Sequence, residues 1–205
     1  QASSPTNSPT TPPPVSDKNE MIQVAGGSFK MGNNKGTDLE KPEHQVTVKS
    51  FWMDKTEVTN AEYFQFVSET KYGFIPAHWV NEKPAPGAEK MPIRNVNQDD
   101  VKAFIEWRSK RDNVTYRLPN EEEWEYAARN GAKATLYPWG NDNKEHCAVV
   151  GKSSADVEPV GSRTCGANEL GIIDLVGNVW EWTSSEAKAY PGAPGEVVNT
   201  SNEPI

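Results

Sequence analysis

The chain has 205 residues, a length that fits one compact domain with or without a tail. Its net charge is −8, from 21 basic and 29 acidic residues, which argues against binding to nucleic acid or to anionic membranes because both need clustered lysine and arginine. No stretch approaches the ~20 consecutive apolar residues of a membrane-spanning helix, so no membrane span is expected in this chain.

Residues 1–20 differ in composition from the rest of the chain. They include five prolines, four serines and three threonines, and Val15 is their one large apolar residue. Such a segment cannot bury enough surface to offset its ordering entropy, so we expect a disordered or polyproline-like linker at 1–20 and one domain at 21–205. The linker has no apolar signal-peptide core. It fits either a piece cut for expression or a tether between a membrane anchor and an exported domain.

Short strands are predicted at the start of the domain. Met21 to Val24 and Phe29 to Met31 are apolar runs separated by a turn at Gly26-Gly27. Gln45 to Lys49 alternates polar and apolar residues, and Phe51 to Asp54 has the composition of a buried strand. The pattern therefore predicts four short strands between residues 21 and 54.

Three helices are indicated by their first residues. The predicted N-caps are Thr59, Asn97 and Asn120, and Thr59 with Glu62 has the spacing of a capping box. Each start is followed by apolar residues on one helical face: Tyr63, Phe66 and Val67 in the first helix, Val101, Phe104, Ile105 and the stem of Arg108 in the second, and Trp124, Ala127 and Ala128 in the third. The acids Glu121 to Glu123 suit the first turn of the third helix as electrostatic caps rather than as catalytic groups, and Gly131 is a predicted stop.

Residues 132–173 are rich in turn-forming residues, and a loop region this long needs a disulfide, a metal or a partner to order it. The two cysteines, Cys147 and Cys165, enclose 17 residues of this region, and we predict that they form a disulfide if the protein is exported. The histidines, His44, His78 and His146, are far apart in the sequence and no Cys-x-x-Cys motif occurs, so a zinc site is not supported.

A candidate cation site lies in the segment 171–183. Asp174 and Glu181 are its two acids, and Gly177 between them permits a tight turn that can direct backbone carbonyls inward. Calcium takes six to eight oxygen ligands, so these carboxylates together with the carbonyls of Gly177 and Val179 make a plausible partial cage. The alternative is two surface acids beside the core residues Trp180 and Trp182.

Several segments together resemble the formylglycine-generating enzyme, or sulfatase-modifying factor, family. The segments occur in the family's order and cover most of residues 21–183: MIQVAGGSFKMG from Met21, DKTEVTNAEY from Asp54, YRLPNEEEWEYAAR from Tyr116, YPWG from Tyr137 and GNVWEW from Gly177. The resemblance implies an α+β, C-type-lectin-like fold with little regular secondary structure.

The resemblance also implies one calcium site, formed by Asp174, Gly177, Val179 and Glu181. A second calcium site of the family uses an asparagine, and the matching stretch 147–150 contains none, so one site is expected. Family enzymes convert a sulfatase cysteine to formylglycine with oxygen and with copper on a cysteine pair in a C-terminal segment. This sequence does not contain that segment, so copper is expected only if a further C-terminal piece supplies the cysteines, and no catalytic residue is assigned.

Three functions are consistent with these features. The chain can be a non-catalytic binding or sensor module of a bacterial, extracytoplasmic protein, placed in the periplasm, on the cell surface or in the medium. It can instead be a copper-dependent formylglycine-generating oxidase whose catalytic cysteines lie in a missing C-terminal piece. A structural partner in an exported assembly is the third possibility. Because the last strands of the family fold are also absent from the sequence, a C-terminal companion segment or chain is an expected partner.

Overall fold

Two antiparallel ribbons form the first part of the fold. The structure is a computed structural model that describes residues 19–150 and 156–193. Strand β1 (Met21–Val24) pairs with β4 (Phe51–Asp54) to form the first ribbon. Strand β2 (Gly27–Met31) pairs with β3 (His44–Val48) to form the second. Alternate side chains of β2, β3 and β4 point into the core, as their period-two pattern predicts. The second strand begins two residues earlier than expected because Gly27 itself pairs with Val48.

Three helices follow the ribbons, at the predicted places. They are α1, Asn60–Thr70; α2, Gln98–Asp112; and α3, Glu121–Ala128. Each is preceded by the predicted N-cap, whose side-chain oxygen accepts a backbone N–H of the first turn: Thr59, Asn97 and Asn120. The third helix ends at Ala128, earlier than the predicted stop at Gly131, because Asn130 takes a left-handed conformation.

Glu62 does not complete the capping box that its spacing predicted. Its backbone N–H donates a hydrogen bond to the Thr59 hydroxyl oxygen. Its carboxylate, however, turns inward and pairs with Arg111 at 2.9 Å and with Arg108 at 3.3 Å. Arg108 also makes a two-pronged ion pair with Asp54 of β4, at 2.6 and 2.9 Å. This buried network joins α1, α2 and the first ribbon, and it explains why Arg108 is buried.

The apolar residues form two cores. One lies between the ribbons and α3 and includes Phe29, Met31, Tyr126 and Leu175. The other is aromatic and lies between α1 and α2: Tyr63, Phe66, Val67, Trp79, Phe104 and Trp107. Trp124 and the α2 residues Val101 and Ile105 are only partly buried, although their periodicity predicted an inward face. The architecture is mixed α+β with few regular elements, as expected.

The region after α3 is irregular, as predicted, and contains 3-10 turns at Gly131–Lys133, Glu145–Cys147 and Thr164–Gly166. The predicted linker at 1–20 lies outside the described residues up to residue 18, as does the chain beyond residue 193. Within the described part, no helix has the length and apolar character of a membrane span.

Candidate cation loop and adjoining cleft

The loop from Asp174 to Glu181 is fixed by a neighbouring extended segment. Val149 forms a parallel bridge with Gly177, and the backbone N–H of Asn178 donates to the carbonyl of Val149 at 2.9 Å. Gly177 has a φ of +81°, and a Cβ at this position would overlap the Val149 carbonyl oxygen. Glycine is therefore required here both by the backbone conformation and by the close approach of the two segments.

Glu57 lies beneath this loop and was not predicted as a site residue. It is buried, and its carboxylate accepts a hydrogen bond from Asn178 Nδ2 at 2.8 Å and another from the Val179 N–H at 3.3 Å. Asn178 in turn accepts from the N–H of Glu158 at 2.9 Å, so its side chain shapes the turn. The available sequence signal was the position of Glu57 inside DKTEVTNAEY, one of the segments that carry the family resemblance.

Three carboxyl groups influence one another at this loop. Burial, with a further contribution from the charges of Asp174 and Glu181, raises the pKa of Glu57 to about 9. Burial also raises the pKa of Glu181 to about 7, with Asp174 adding to the effect. The pKa of Asp174 is raised by burial as well, although the Gly161 N–H, which donates to its Oδ2 at 2.6 Å, acts in the opposite direction. The loop thus brings together three partly desolvated carboxyl groups whose ionised forms are disfavoured.

The predicted calcium set, Asp174, Gly177, Val179 and Glu181, lies on this one loop, and its oxygen donors fit a hard cation. No hydrogen bond between described residues uses the carbonyl of Gly177 or of Val179. Among the described residues, however, no three carboxylates bring ligand atoms within 4.8 Å of one another, so the set depends on carbonyls to complete it.

The alternative prediction, that Asp174 and Glu181 are surface acids beside the core residues Trp180 and Trp182, is wrong. Asp174 is buried, whereas Trp180 is 81% exposed. Trp182 is partly buried, and its indole N–H donates to the carbonyl of Val96 at 3.1 Å. The Trp124 N–H donates to Glu181 at 3.2 Å, which connects the loop to α3.

A cleft of about 1990 Å³ opens beside the loop. Val101 and Ile105 of α2 line it on one side, Trp124 of α3 contributes, and the segment 174–188 with exposed Trp180 lines it on the other. Among the residues that the structure describes, its charged lining comprises eight acids (Asp99, Glu106, Glu121, Glu125, Asp156, Asp174, Glu181 and Glu186) and four bases (Arg94, Lys102, Arg117 and Lys188). The cleft is therefore apolar with an acidic bias, and it accounts for the partial exposure of the α2 residues that were expected in a core.

The predicted disulfide joins Cys147 and Cys165, whose Cα atoms are 5.1 Å apart. Cys147 is buried and Cys165 is exposed. The imidazole of His146 lies at the same place, with a ring nitrogen and both sulfurs within 4.8 Å of one another. Linear spacing alone gave no sign of this grouping, although His146 adjoins one of the paired cysteines.

Comparison with known proteins gives consistent results. A family model described as a sulfatase-modifying factor enzyme 1-like domain matches residues 7–202. Inactive C-alpha-formylglycine-generating enzyme 2 from Bos taurus is 35% identical over 82% of this chain and 71% of its own, and the formylglycine-generating enzyme of Mycobacterium tuberculosis is 28% identical over 82% and 74%. The structure of PvdO from Pseudomonas aeruginosa matches with a TM-score of 0.69 and 28% identity, covering 82% of this chain and 71% of that one.

Proposed function

The chain belongs to the family of sulfatase-modifying factor enzyme 1-like domains, and on that premise we propose that it is a binding module with no catalytic role of its own. The observation that carries the proposal is the cleft beside the 174–181 loop, with an exposed tryptophan at its edge. A side chain as large and apolar as Trp180, left in solvent beside a concave apolar surface, is typical of an interaction site. The similarity to a relative named as inactive supports the same interpretation.

The occupant that fits this cleft is a polypeptide segment with apolar and basic side chains. At about 1990 Å³ the cleft exceeds the roughly 300–1,000 Å³ of ordinary small-molecule pockets. Its acidic lining favours a positively charged occupant, and the negative net charge of the whole chain acts in the same direction. Such a segment can belong to a C-terminal companion segment or to a separate chain.

Calcium is proposed as the ion of the neighbouring loop, with ligands from Asp174, Glu181 and the carbonyls of Gly177 and Val179. A divalent cation would favour the ionised forms of Glu57, Asp174 and Glu181, whose pKa values are raised mainly by burial. Its part in binding would be structural, because the loop that carries Trp180 forms one side of the cleft.

Export is proposed from the disulfide, since disulfides persist in oxidising compartments and are rare elsewhere. The pairing also bears on catalysis. Both cysteines of the 205 residues are bonded to each other, so in this state neither sulfur is a thiolate that could bind copper. The alternative is a copper-dependent oxidase completed by cysteines in a further segment, and similarity to an enzyme of Mycobacterium tuberculosis over 82% of the chain favours keeping it as the second candidate.

The binding proposal can be tested by selecting random peptides from a displayed library on the purified chain in calcium-containing buffer. We expect enriched peptides to combine apolar and basic residues and to lose most of their affinity for Trp180→Ala. The matched control is Trp52→Ala, because Trp52 is 59% exposed but lies on the first ribbon, outside the cleft. No enrichment, or equal binding to both variants, would refute the cleft as the binding site.

The two candidate functions differ in a direct assay. The chain is incubated with a cysteine-containing sulfatase peptide, Cu(I) and oxygen, and the peptide mass is measured. The binding-module proposal predicts unchanged peptide, whereas conversion of the cysteine to formylglycine would establish the oxidase.

A further inference from the structure

The cluster of His146, Cys147 and Cys165 lies in the loop region after α3, and the binding role proposed for the cleft makes no use of it. In the structure the two sulfurs are bonded to each other, and a ring nitrogen of His146 lies within 4.8 Å of both. Among the described residues this is the one group in which three histidine, cysteine or acidic side chains bring potential ligand atoms so close together. We propose that reduction of the disulfide converts this cluster into a binding site for a soft or borderline metal ion such as Zn²⁺ or Cu⁺.

The donor set determines the class of ion. Two thiolates and an imidazole are the ligands that zinc and cuprous copper prefer, whereas calcium and magnesium require oxygen. With Zn–S near 2.3 Å and Zn–N near 2.0–2.1 Å, ligand atoms around a tetrahedral ion stand roughly 3.3–3.8 Å apart. Separation of the sulfurs on reduction brings them toward that spacing, and a ring nitrogen of the imidazole lies within 4.8 Å of both sulfurs. Three protein ligands leave a fourth position for water.

Contacts other than the S–S bond also hold the two turns together. Arg163 donates from Nη1 to the carbonyl of His146 at 2.9 Å, which ties the turn Glu145–Cys147 to the chain just before Thr164–Gly166. Gly166 packs so closely on the Cys147 carbonyl that a Cβ would overlap it. We therefore expect the two thiols to remain neighbours after reduction. The entropic cost of bringing the two turns together has already been met by folding, so metal binding does not have to meet it again.

Both the reductant and the metal can reach the cluster, because His146 and Cys165 are exposed while Cys147 is buried. Reduction takes two electrons and two protons from a dithiol, which becomes a disulfide, and it yields one thiol on each cysteine. Each thiol then releases its proton to solvent as its sulfur binds the metal. Oxidation reverses these changes and expels the ion, so the site would be present only in the reduced protein.

Cobalt(II) is a suitable probe, since tetrahedral Co²⁺ with thiolate ligands absorbs strongly in the near ultraviolet and visible, whereas Co²⁺ on carboxylates absorbs weakly. The full 205-residue chain is reduced under nitrogen with a phosphine, which becomes a phosphine oxide by taking its oxygen from water, and is then titrated with Co²⁺. We expect one tetrahedral, sulfur-bound Co²⁺ per reduced chain, displaced by Zn²⁺, and no such absorption from the oxidised chain.

Two variants define the site. His146→Ala, which leaves both cysteines in place, should weaken Co²⁺ binding by roughly tenfold or more because it removes a ligand, and Cys147→Ser with Cys165→Ser should abolish the sulfur band. His44→Ala is the matched control, since it removes an imidazole elsewhere, beside Tyr190. The proposal is wrong if the folded, reduced chain shows no sulfur-bound Co²⁺, or if His146→Ala binds as tightly as His44→Ala. It is also wrong if circular dichroism shows that the reduced chain is unfolded and stays so with the metal, because the fold would not then assemble the ligands.

Discussion

At the scale of single residues, the carboxyl groups of Glu57, Asp174 and Glu181 stand out because burial acts against their charged forms. Glu57 is mainly protonated at neutral pH, with a pKa of about 9, and it supports the turn through Asn178 and Val179. Asp174 and Glu181 have raised pKa values, although Asp174 accepts a hydrogen bond from the Gly161 N–H and Glu181 accepts one from Trp124. A bound cation would favour their ionised forms and would therefore couple its own affinity to the stability of the loop.

Calcium should stabilise the folded chain, and the effect should depend on Asp174 and Glu181. At a calcium concentration of 100 times Kd the gain is about 2.7 kcal/mol, which for a domain of this size corresponds to a rise in Tm of roughly 5–10 °C. Melting curves with calcium and with a chelator should show this rise for the native chain and lose most of it for Asp174→Asn or Glu181→Gln. Asp142→Asn, an exposed acid outside the loop, is the control. Equal shifts in all three variants would contradict the assignment.

His78 should make stability sensitive to mild acid. Its Nε2–H donates to Asn60 Oδ1 at 3.1 Å, and burial and the charge of Arg94 lower its pKa, with an Asn95 hydrogen bond acting the other way. As pH falls through about 6.5 the unfolded chain takes up a proton that the folded chain does not, so the free energy of unfolding decreases until the lowered folded pKa is reached. Above about 6.5 this contribution is fully present.

Urea unfolding at pH 7.5 and 5.5 measures this effect. His78→Gln, which keeps an N–H for Asn60, should lose less stability between the two pH values than the native chain. An unchanged loss in His78→Gln would assign the acid sensitivity to other groups.

At the scale of secondary-structure elements, a buried ion network connects α1 and α2 to the first ribbon. The Arg108 side chain is 6% exposed and pairs with Asp54, and it lies 3.3 Å from Glu62. Arg108→Met should lower the free energy of unfolding by about 3–5 kcal/mol, because two carboxylates lose their compensating charge. Lys110→Met, an exposed position on the same helix, should change it by less than about 0.5 kcal/mol. Chemical denaturation measures the free energy of unfolding of both variants. Similar losses in the two would show that the network contributes little to stability.

The same elements show which features the sequence could predict. The N-caps Thr59, Asn97 and Asn120 were correct because a cap and its partners lie within three residues of one another. Glu62 was misjudged because its partners, Arg108 and Arg111, lie 46 and 49 residues away along the chain. Strand positions were likewise close to those observed, whereas the pairing of β1 with β4 depends on contacts that local periodicity does not encode.

Gly177 provides a test of how closely the loop and the Val149 segment must approach. Gly177→Ala should cost roughly 2–4 kcal/mol, since it combines left-handed backbone strain with overlap of the Val149 carbonyl. Gly171→Ala is a matched control, because Gly171 also has a positive φ but has nothing within 4 Å of an added Cβ, and it should cost about 1–2 kcal/mol. Chemical denaturation compares the two. Equal costs would show that the two segments can separate freely.

At the scale of the whole molecule, irregular segments hold the candidate site together, and this limited what the sequence could predict. The resemblance predicted Asp174, Gly177, Val179 and Glu181 from a local motif, and the disulfide followed from the cysteine count. Glu57 and Val149 could not be assigned in this way, because each approaches the loop across a large separation in sequence. The cleft was also unpredictable, since the α2 residues that line it have the periodicity of core residues.

The disulfide and the candidate cation loop should be energetically coupled, because Val149 lies two residues after Cys147 and is bridged to Gly177. Cys147→Ser with Cys165→Ser should destabilise the chain by about 3 kcal/mol, the chain-entropy value for a loop of this length. It should also reduce the calcium-induced rise in Tm, since a Val149 segment released at one end constrains the loop less.

A double-mutant cycle separates this coupling from simple loss of stability. The free energy of unfolding is measured with calcium and with chelator for the native chain, the double serine variant, Asp174→Asn and their combination. We expect an interaction energy above about 0.5 kcal/mol in calcium and a value near zero in chelator. The reason is that Asp174 contributes to calcium binding only when the Val149 segment, held by the disulfide, keeps the loop in place. Additive effects in calcium would mean that the disulfide stabilises only its own turns, and the two sites would then act independently.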